Sequence, residues 1–145
     1  MSTYGDLDKL NTPGLPVPTI TDLSRPHWEG CQRDELLVQR CQDCGHYVFI
    51  PELACTNCLS QQLDWVASSG TGVLYSFTVI YRPQRPEFDA PYIGAIIELE
   101  EGWHMLSNLI ECEPEAACIG MPVEVCFVPR GDNLKLPMFR PLVAG

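Results

Sequence analysis

Two Cys-x-x-Cys pairs, Cys41/Cys44 and Cys55/Cys58, are separated by ten residues in the stretch CQDCGHYVFIPELACTNC. Tetrahedral metal sites take four soft ligands, and two such turns each supply two thiolates at a suitable spacing. With four thiolates bound, no coordination position is open to water, so the pattern predicts a structural site and not a Lewis acid. Zinc is the expected ion, although a four-sulfur site also suits a single iron, as in rubredoxin.

The remaining four cysteines, Cys31, Cys112, Cys118 and Cys126, show no regular spacing. We interpret them as reduced thiols, mostly in the core. The 145 residues suit one compact domain, or a small metal module joined to a larger domain. An apolar fraction of 46% argues against disorder, while 13 prolines and 11 glycines predict many turns and short elements.

Charge and hydropathy restrict the partners of the chain. No apolar run approaches the roughly 18 residues that span a bilayer, and the first twenty residues lack the basic start and apolar centre of a signal peptide. These features predict a cytoplasmic protein without membrane association. The net charge is −10, and residues 98–124 contain seven Glu but no Lys or Arg. Because nucleic-acid binding depends on cations that displace counterions, this balance argues against a nucleic-acid partner.

The N-terminal third divides into three segments. Residues 1–23, with three prolines, are expected to form an extended arm that either lies across a partner or is a floppy terminus. Residues 24–36 are expected to hold a short helix, with Ser24 as its cap and with Trp28 and Cys31 on one face. Residues 37–66 form the metal module, in which LLVQRC and HYVFIP flank the first Cys pair like the strands of a hairpin.

Residues 67–145 show the alternation of β-strands. From Val73, every second side chain to Tyr81 is large and apolar or aromatic, which predicts a strand with these residues on one face. Four further strands are predicted at YIGAIIEL, HMLSNLI, PVEVCFVP and LKLPMFRP, with a one-turn helix closed by Gly120 before the third of these. Five short antiparallel strands with a longer excursion fit an oligonucleotide/oligosaccharide-binding (OB) barrel, and other small barrels fit almost as well. The fold class is therefore mainly β.

No catalytic constellation stands out. With four cysteines already present, His27, His46 and His104 are not needed as metal ligands, and we interpret them as surface or packing residues. The sequence holds no recognisable Ser-His-Asp set or nucleotide fingerprint, and the lone GTG at residues 70–72 is too weak a signal for a phosphate loop.

The order of these motifs is specific. A tryptophan-bearing helix, the ribbon ELLVQRCQDCGHYVFIPELACTNC, then GTGVLYSFTVIYRP and finally IGMPVEVCFVP resemble a family of proteins that join a rubredoxin-like zinc ribbon to an OB-fold and are associated with acyl-CoA metabolism. The resemblance covers roughly residues 24–141. It implies a non-catalytic accessory subunit in a hetero-oligomer with a thiolase-superfamily enzyme, or in related systems a hydratase-like one. The partner would carry the catalytic residues, and the acyl-CoA ligand would be shared between the subunits.

The residues themselves suggest where such a ligand would bind. Coenzyme A offers an adenine for stacking and phosphates for arginine, and the loop after the first barrel strand gathers Tyr81, Arg82, Arg85 and Phe88. These are the candidate ligand or partner contacts, together with Arg40 beside the first Cys pair; ordinary surface arginines are the alternative. Two other functions stay open, namely single-stranded nucleic-acid binding through the barrel and electron transfer through a rubredoxin-like iron site.

Overall fold

The computed structural model describes residues 7–143, which form two small sheets. The first sheet is antiparallel in the order β2-β1-β3 and comprises β1 (Leu37–Cys41), β2 (Tyr47–Val48) and β3 (Leu63–Ala67). The second closes into a barrel in the order β4-β5-β6-β8-β7 and comprises β4 (Thr71–Ile80), β5 (Tyr92–Leu99), β6 (His104–Leu109), β7 (Pro122–Arg130) and β8 (Leu134–Pro141). The predicted hairpin around the first Cys pair and the five-stranded OB barrel are both confirmed. Within residues 7–143, no helix is long and apolar enough to cross a bilayer.

One strand pair in the barrel is parallel, where the sequence predicted antiparallel strands throughout. β6 and β8 meet in the same direction through the single pair Leu109↔Phe139. Between them in the chain lie a 3-10 turn at Pro114–Ala116 and strand β7, which pairs with both β8 and β4. After the 3-10 turn and β7, the chain returns as β8, which lies beside β6 and runs parallel to it.

The predicted alternation along β4 is interrupted by a bulge. Leu74 pairs with Ile97 and Ser76 pairs with Ile96, so Tyr75 has no partner between them. Leu74 is fully buried, and after the bulge Phe77 and Val79 turn toward the core. The prediction that Tyr75 and Phe77 lie on the same face of β4 is therefore wrong. The extra residue at the bulge leaves Tyr75 52% exposed to solvent, whereas Phe77 packs against the core.

The short helix α1 (Arg25–Gln32) forms as predicted, with Ser24 at its N-cap position. The Ser24 hydroxyl makes no capping bond to the helix; it accepts a hydrogen bond from the Thr21 amide at 3.0 Å instead. The buried face consists of His27, Gly30 and Cys31. A Cβ on Gly30 would lie 2.8 Å from Leu37 Cγ and 2.9 Å from the Glu35 carbonyl oxygen, so this glycine lets the chain fold back tightly onto the helix.

The two sheets share one hydrophobic core. Leu36 lies just before β1 and Val38 lies within it. Both belong to the same buried cluster as Leu74, Trp103 and Phe139 of the barrel. Phe49 and Val66 of the ribbon region pack against this cluster. The ribbon is consequently held against the barrel by shared apolar burial, which fixes the position of the metal-ligating turns relative to the barrel.

The N-terminal arm is neither free nor fully extended where the structure describes it. Residues Leu7–Asn11 form a 3-10 helix, and Leu15 is buried against the barrel. Residues 1–6 lie outside the described residues, so the prediction for that part of the arm is not addressed.

Candidate metal centre and ligand surfaces

The two Cys-x-x-Cys turns have the same backbone geometry. The Gly45 amide donates to the Cys41 carbonyl and the Leu59 amide donates to the Cys55 carbonyl, each at 2.9 Å. Both donors have a left-handed backbone, with φ of 77° at Gly45 and 67° at Leu59. The amides of Cys41 and Cys55 donate in turn to the carbonyls of residues 46 and 60. Each turn thus presents its two thiols to the same central point.

The four sulfurs are placed for a tetrahedral ion. The Sγ atoms of Cys41, Cys44, Cys55 and Cys58 all lie within 4.8 Å of one another. The Cys41–Cys58 and Cys44–Cys55 Sγ distances are both 3.6 Å, close to the roughly 3.8 Å separation expected when each sulfur lies about 2.3 Å from a tetrahedral zinc. The residues present therefore fit a metal bound by four sulfurs.

Hydrogen bonds around the cluster favour thiolates at part of the site. The Asn57 side chain donates to Cys44 Sγ at 3.5 Å, and this bond, followed by one from the His46 amide, lowers the pKa of Cys44 to about 6. The Cys44 amide likewise lowers the pKa of Cys41. The Ser60 amide lowers the pKa of Cys58, but its contacts with the other thiols and desolvation outweigh this and raise the pKa to about 12. Four adjacent thiolates repel one another without a cation, so the site requires a positive ion for all four to ionise.

The apolar cluster beside the two Cys-x-x-Cys turns, here called the ribbon tip, is small. Buried within it are only Cys41, Val48 and Cys55 among the residues the structure describes, with Leu63 packed alongside. A cluster of this size cannot offset the chain entropy of two ordered turns. A bound metal would supply that stabilisation, which supports a structural assignment for the site.

The predicted ligand contacts lie in two places. Tyr81, Arg82, Arg85 and Phe88 belong to the loop between β4 and β5. Phe88 stacks on Tyr92 with ring centroids 5.7 Å apart, and Arg85 Nε lies 3.5 Å from a Glu87 carboxylate oxygen.

Tyr81 and Arg82 are exposed, and Arg82 makes no ion pair with any residue in the range 7–143. Arg40 is on the ribbon, where its guanidinium lies 5.2 Å from the Tyr47 ring centroid and its Nε donates to the Gly45 carbonyl at 3.3 Å. Both of these contacts lie within the ribbon.

The three histidines have separate environments, and none is among the four ligand positions found within the described residues. His46 is exposed beside the first Cys pair, where its carbonyl accepts the Cys41 amide at 2.9 Å. His27 is buried on α1, where desolvation lowers its pKa, and its Nε2 lies 3.8 Å from Cys31 Sγ. Burial also raises the pKa of Cys31 to about 12, so both shifts favour the uncharged form of the side chain. His104 Nε2 lies 2.9 Å from a Glu98 oxygen on the surface. His27 is therefore a packing residue, and His46 and His104 are surface residues.

The arm occupies a cleft that sequence reasoning missed. OB-folds bind ligands through the loops after their first and fourth strands, which here are the β4–β5 loop and the β7–β8 turn. Lys9 Nζ lies 3.8 Å from Asp89 in the first loop, and Asn11 Oδ1 accepts the Gly131 amide of the second at 2.7 Å. Arg130 also donates to the Pro16 carbonyl at 2.9 Å. The chain's own N-terminal arm thus bridges both loops.

Family models match most of the folded chain. The model described as "ChsH2, rubredoxin-like zinc ribbon domain" matches residues 28–64, and "ChsH2, C-terminal OB-fold domain" matches residues 65–128. Among solved structures, a chain of the "Ltp2-ChsH2(DUF35) aldolase" is 35% identical with a TM-score of 0.80, covering 88% of this chain and 100% of that one. The protein belongs to the ChsH2/DUF35 family.

Two curated relatives of this DUF35 chain are named as enzyme subunits. A probable enoyl-CoA hydratase alpha subunit of Thermomonospora curvata is 36% identical over 128 residues, which are 88% of this chain and 40% of the relative. The benzoylsuccinyl-CoA thiolase subunit BbsA of Geobacter metallireducens is 36% identical over 100 residues, covering 68% of this chain and 66% of the relative. The DUF35 chain therefore spans about two fifths of the length of the hydratase subunit that it matches.

Proposed function

We propose that this DUF35 chain is a non-catalytic subunit that associates with a thiolase-superfamily enzyme and helps to bind its acyl-CoA substrate. The observation that carries the proposal is the four-thiol site, because a metal bound there has a full coordination sphere and offers no reactive position. The names of the relatives support it further, since both the hydratase and the thiolase relatives are named as subunits. The catalytic nucleophile would then belong to the partner.

The contribution of this subunit to the reaction would be positional. Orienting a thioester against catalytic groups and excluding water lower the barrier without supplying a reacting atom. The shared core between ribbon and barrel suits this role, because it holds two loop-bearing units in a fixed arrangement.

Coenzyme A contacts are proposed for the loop between β4 and β5. Arg82 is an exposed guanidinium without an ion-pair partner in the described chain, so it is available for a phosphate. Tyr81 and Phe88 offer aromatic faces for the adenine, while Arg85 would exchange its Glu87 contact for the ligand. Arg40 would have to leave the Tyr47 ring to take part.

The ion at the four-cysteine site is proposed to be zinc. Tetrahedral four-sulfur sites hold zinc or a single iron, and the match to a zinc-ribbon family model supports zinc. Elemental analysis of the purified protein is expected to find about one zinc per chain in a colourless sample. A red protein with a visible charge-transfer band would identify iron and favour the electron-transfer alternative.

A reconstitution experiment tests the accessory role. The chain and a thiolase-superfamily protein from the same organism are purified alone and together, and acyl-CoA turnover is measured for each. We expect no turnover by this chain, a stable complex, and higher kcat/KM for the complex than for the partner alone. Full activity of the partner without any complex would overturn the proposal.

The acyl-CoA part of the proposal has its own readout in the same assay. Replacing Arg82 with alanine should raise KM by several-fold with little change in kcat, since a phosphate contact far from the reacting carbon binds substrate and transition state equally. An exposed arginine elsewhere, Arg33, provides the matched control. Equal KM values for both variants would remove Arg82 from the site while leaving the accessory role intact.

Single-stranded nucleic-acid binding is less well supported. The N-terminal arm contacts the two barrel loops that would bind a single-stranded nucleic acid. The net charge of −10 would also repel the phosphate backbone. A cytoplasmic location remains a prediction from the sequence.

A further inference from the structure

Two adjoining grooves on one side of the molecule lack charged side chains. The first lies between α1, the ribbon loop after β2 and the barrel strands β6 and β8, and 15 residues line it. The second lies on the outer side of β4, β5 and β6, with 12 lining residues. Among these described residues there is no Asp, Glu, Lys or Arg, although 19% of the chain is charged. The grooves share Leu106, Ser107 and Asn108 of β6, so they form one continuous surface, here called the neutral face.

Large apolar side chains stand exposed on the neutral face. Leu106 of β6 is 77% exposed and Ile50 of the ribbon loop is 71% exposed. Cross-strand pairing aligns Ser76, Ile96 and Leu106 in one row and Thr78, Gly94 and Asn108 in the next. These rows carry small, polar uncharged or apolar side chains only. Depletion of charge with exposed aliphatic anchors is the composition of an interface centre and not of a solvated surface.

The neutral face joins the ribbon to the barrel. Ile50 and Pro51 of the ribbon loop line the first groove opposite Leu106 and Pro137 of the barrel. β6 and β8 are paired at Leu109↔Phe139, and the Ser107 hydroxyl at the groove donates to the Pro137 carbonyl at 2.8 Å. His27 lies at the groove, and burial lowers its pKa, which favours the uncharged imidazole. The shape of the face depends on both units being held in place.

We propose that the neutral face is the docking surface for the thiolase-superfamily subunit and receives an uncharged, apolar surface of that partner. This inference rests on the proposed function. A second copy of this chain is the less favoured occupant, because each copy carries a net charge of −10 and two copies repel each other as they approach. A partner that spans both grooves would also account for the structural metal, which fixes the ribbon half of the surface.

Charge-introducing variants test this assignment. Leu106→Glu and Ile50→Glu place a carboxylate on the neutral face, and Ile119→Glu places one on a 59% exposed residue of the turn before β7, away from both grooves. Affinity for the thiolase-superfamily protein of the reconstitution experiment is measured by calorimetry. We expect each face variant to weaken binding by at least about tenfold and the Ile119 variant to stay within about twofold of the wild type. Thermal melts establish that all three fold, and Leu106→Met, which keeps an apolar anchor, should retain binding.

The possible outcomes separate the two proposals. If the wild-type chain binds and the face variants bind equally well, the neutral face is wrong while the accessory role stands. If the wild-type chain binds no partner, the accessory role fails and the docking surface fails with it. If the wild-type chain is a dimer on its own and Leu106→Glu makes it monomeric without affecting partner affinity, the face belongs to a second copy and the proposal is overturned.

Discussion

Replacing Cys55 with serine is expected to unfold the ribbon and to lower the stability of the whole chain. Cys55 is fully buried, its Sγ lies 3.6 Å from that of Cys44, and it accepts the Asn57 amide at 3.3 Å. Structural zinc in small peptides contributes about 10–16 kcal/mol of binding free energy, which is also folding free energy. With one ligand lost, the few apolar residues at the ribbon tip cannot keep the two turns ordered.

The effect should extend beyond the ribbon because the core is shared. Leu36 and Val38 lie in the barrel cluster, so disorder in the ribbon would expose part of that core. We expect the melting temperature to fall by at least about 10 °C, as for a loss of several kcal/mol. Differential scanning calorimetry and metal analysis measure the two effects, and a strong chelator added to the wild type should reproduce them.

Cys118→Ser is the matched control for this experiment. Cys118 is exposed, and it is not one of the four cysteines that face the metal position. Its replacement should leave both the melting temperature and the metal content unchanged. A Cys55→Ser protein that melts with the wild type would show that packing alone holds the ribbon and that the metal has another role.

The elements that the sequence predicted best are those with local signals. The Cys spacing identifies the two metal-binding turns, because each turn is built from residues close together in the chain. Alternation locates the barrel strands, since one face of each strand is buried. Alternation alone does not show a bulge, so Tyr75 was placed on the wrong face of β4. Similarly, serine is a common N-cap residue, but the Ser24 hydroxyl accepts a hydrogen bond from the Thr21 amide and makes no capping bond to the helix.

The features that the sequence did not predict depend on contacts between distant residues. The arm reaches the β7–β8 turn through Asn11 and Gly131, which are 120 positions apart. The neutral face combines Ile50, Leu106 and Pro137 from three separate segments. No local pattern marks such residues, and an exposed leucine in a predicted strand is unremarkable by itself. The coenzyme A contacts remain predictions, because they depend on a ligand and a partner.

Gly72→Ala is expected to be the most damaging single-methyl change in the barrel. A Cβ at this position would lie 2.1 Å from the carbonyl oxygen and 2.9 Å from the carbonyl carbon of Glu98. These are backbone atoms of the paired strand β5, and Gly72 also pairs with Val123 of β7 on its other side. Neither neighbour can move without disrupting its own pairing. The free energy of unfolding should therefore fall by about 3 kcal/mol or more, with a drop in melting temperature of about 10 °C.

Gly94→Ala provides the comparison within the same strand pair. A Cβ there would meet Ile80 Cδ1 at 3.5 Å, which is an ordinary contact, so its stability should stay within about 0.5 kcal/mol of the wild type. Chemical denaturation of both variants gives the difference directly. The GTG sequence at residues 70–72 contains a second constrained glycine, because Gly70 has a left-handed backbone with φ of 75° and its Cβ position lies 2.6 Å from Val125 Cγ1. Strand pairing then requires Gly72, and the positive φ before β4 requires Gly70. A Gly72→Ala protein that kept its stability but lost acyl-CoA binding in the complex would instead assign the glycines to a ligand.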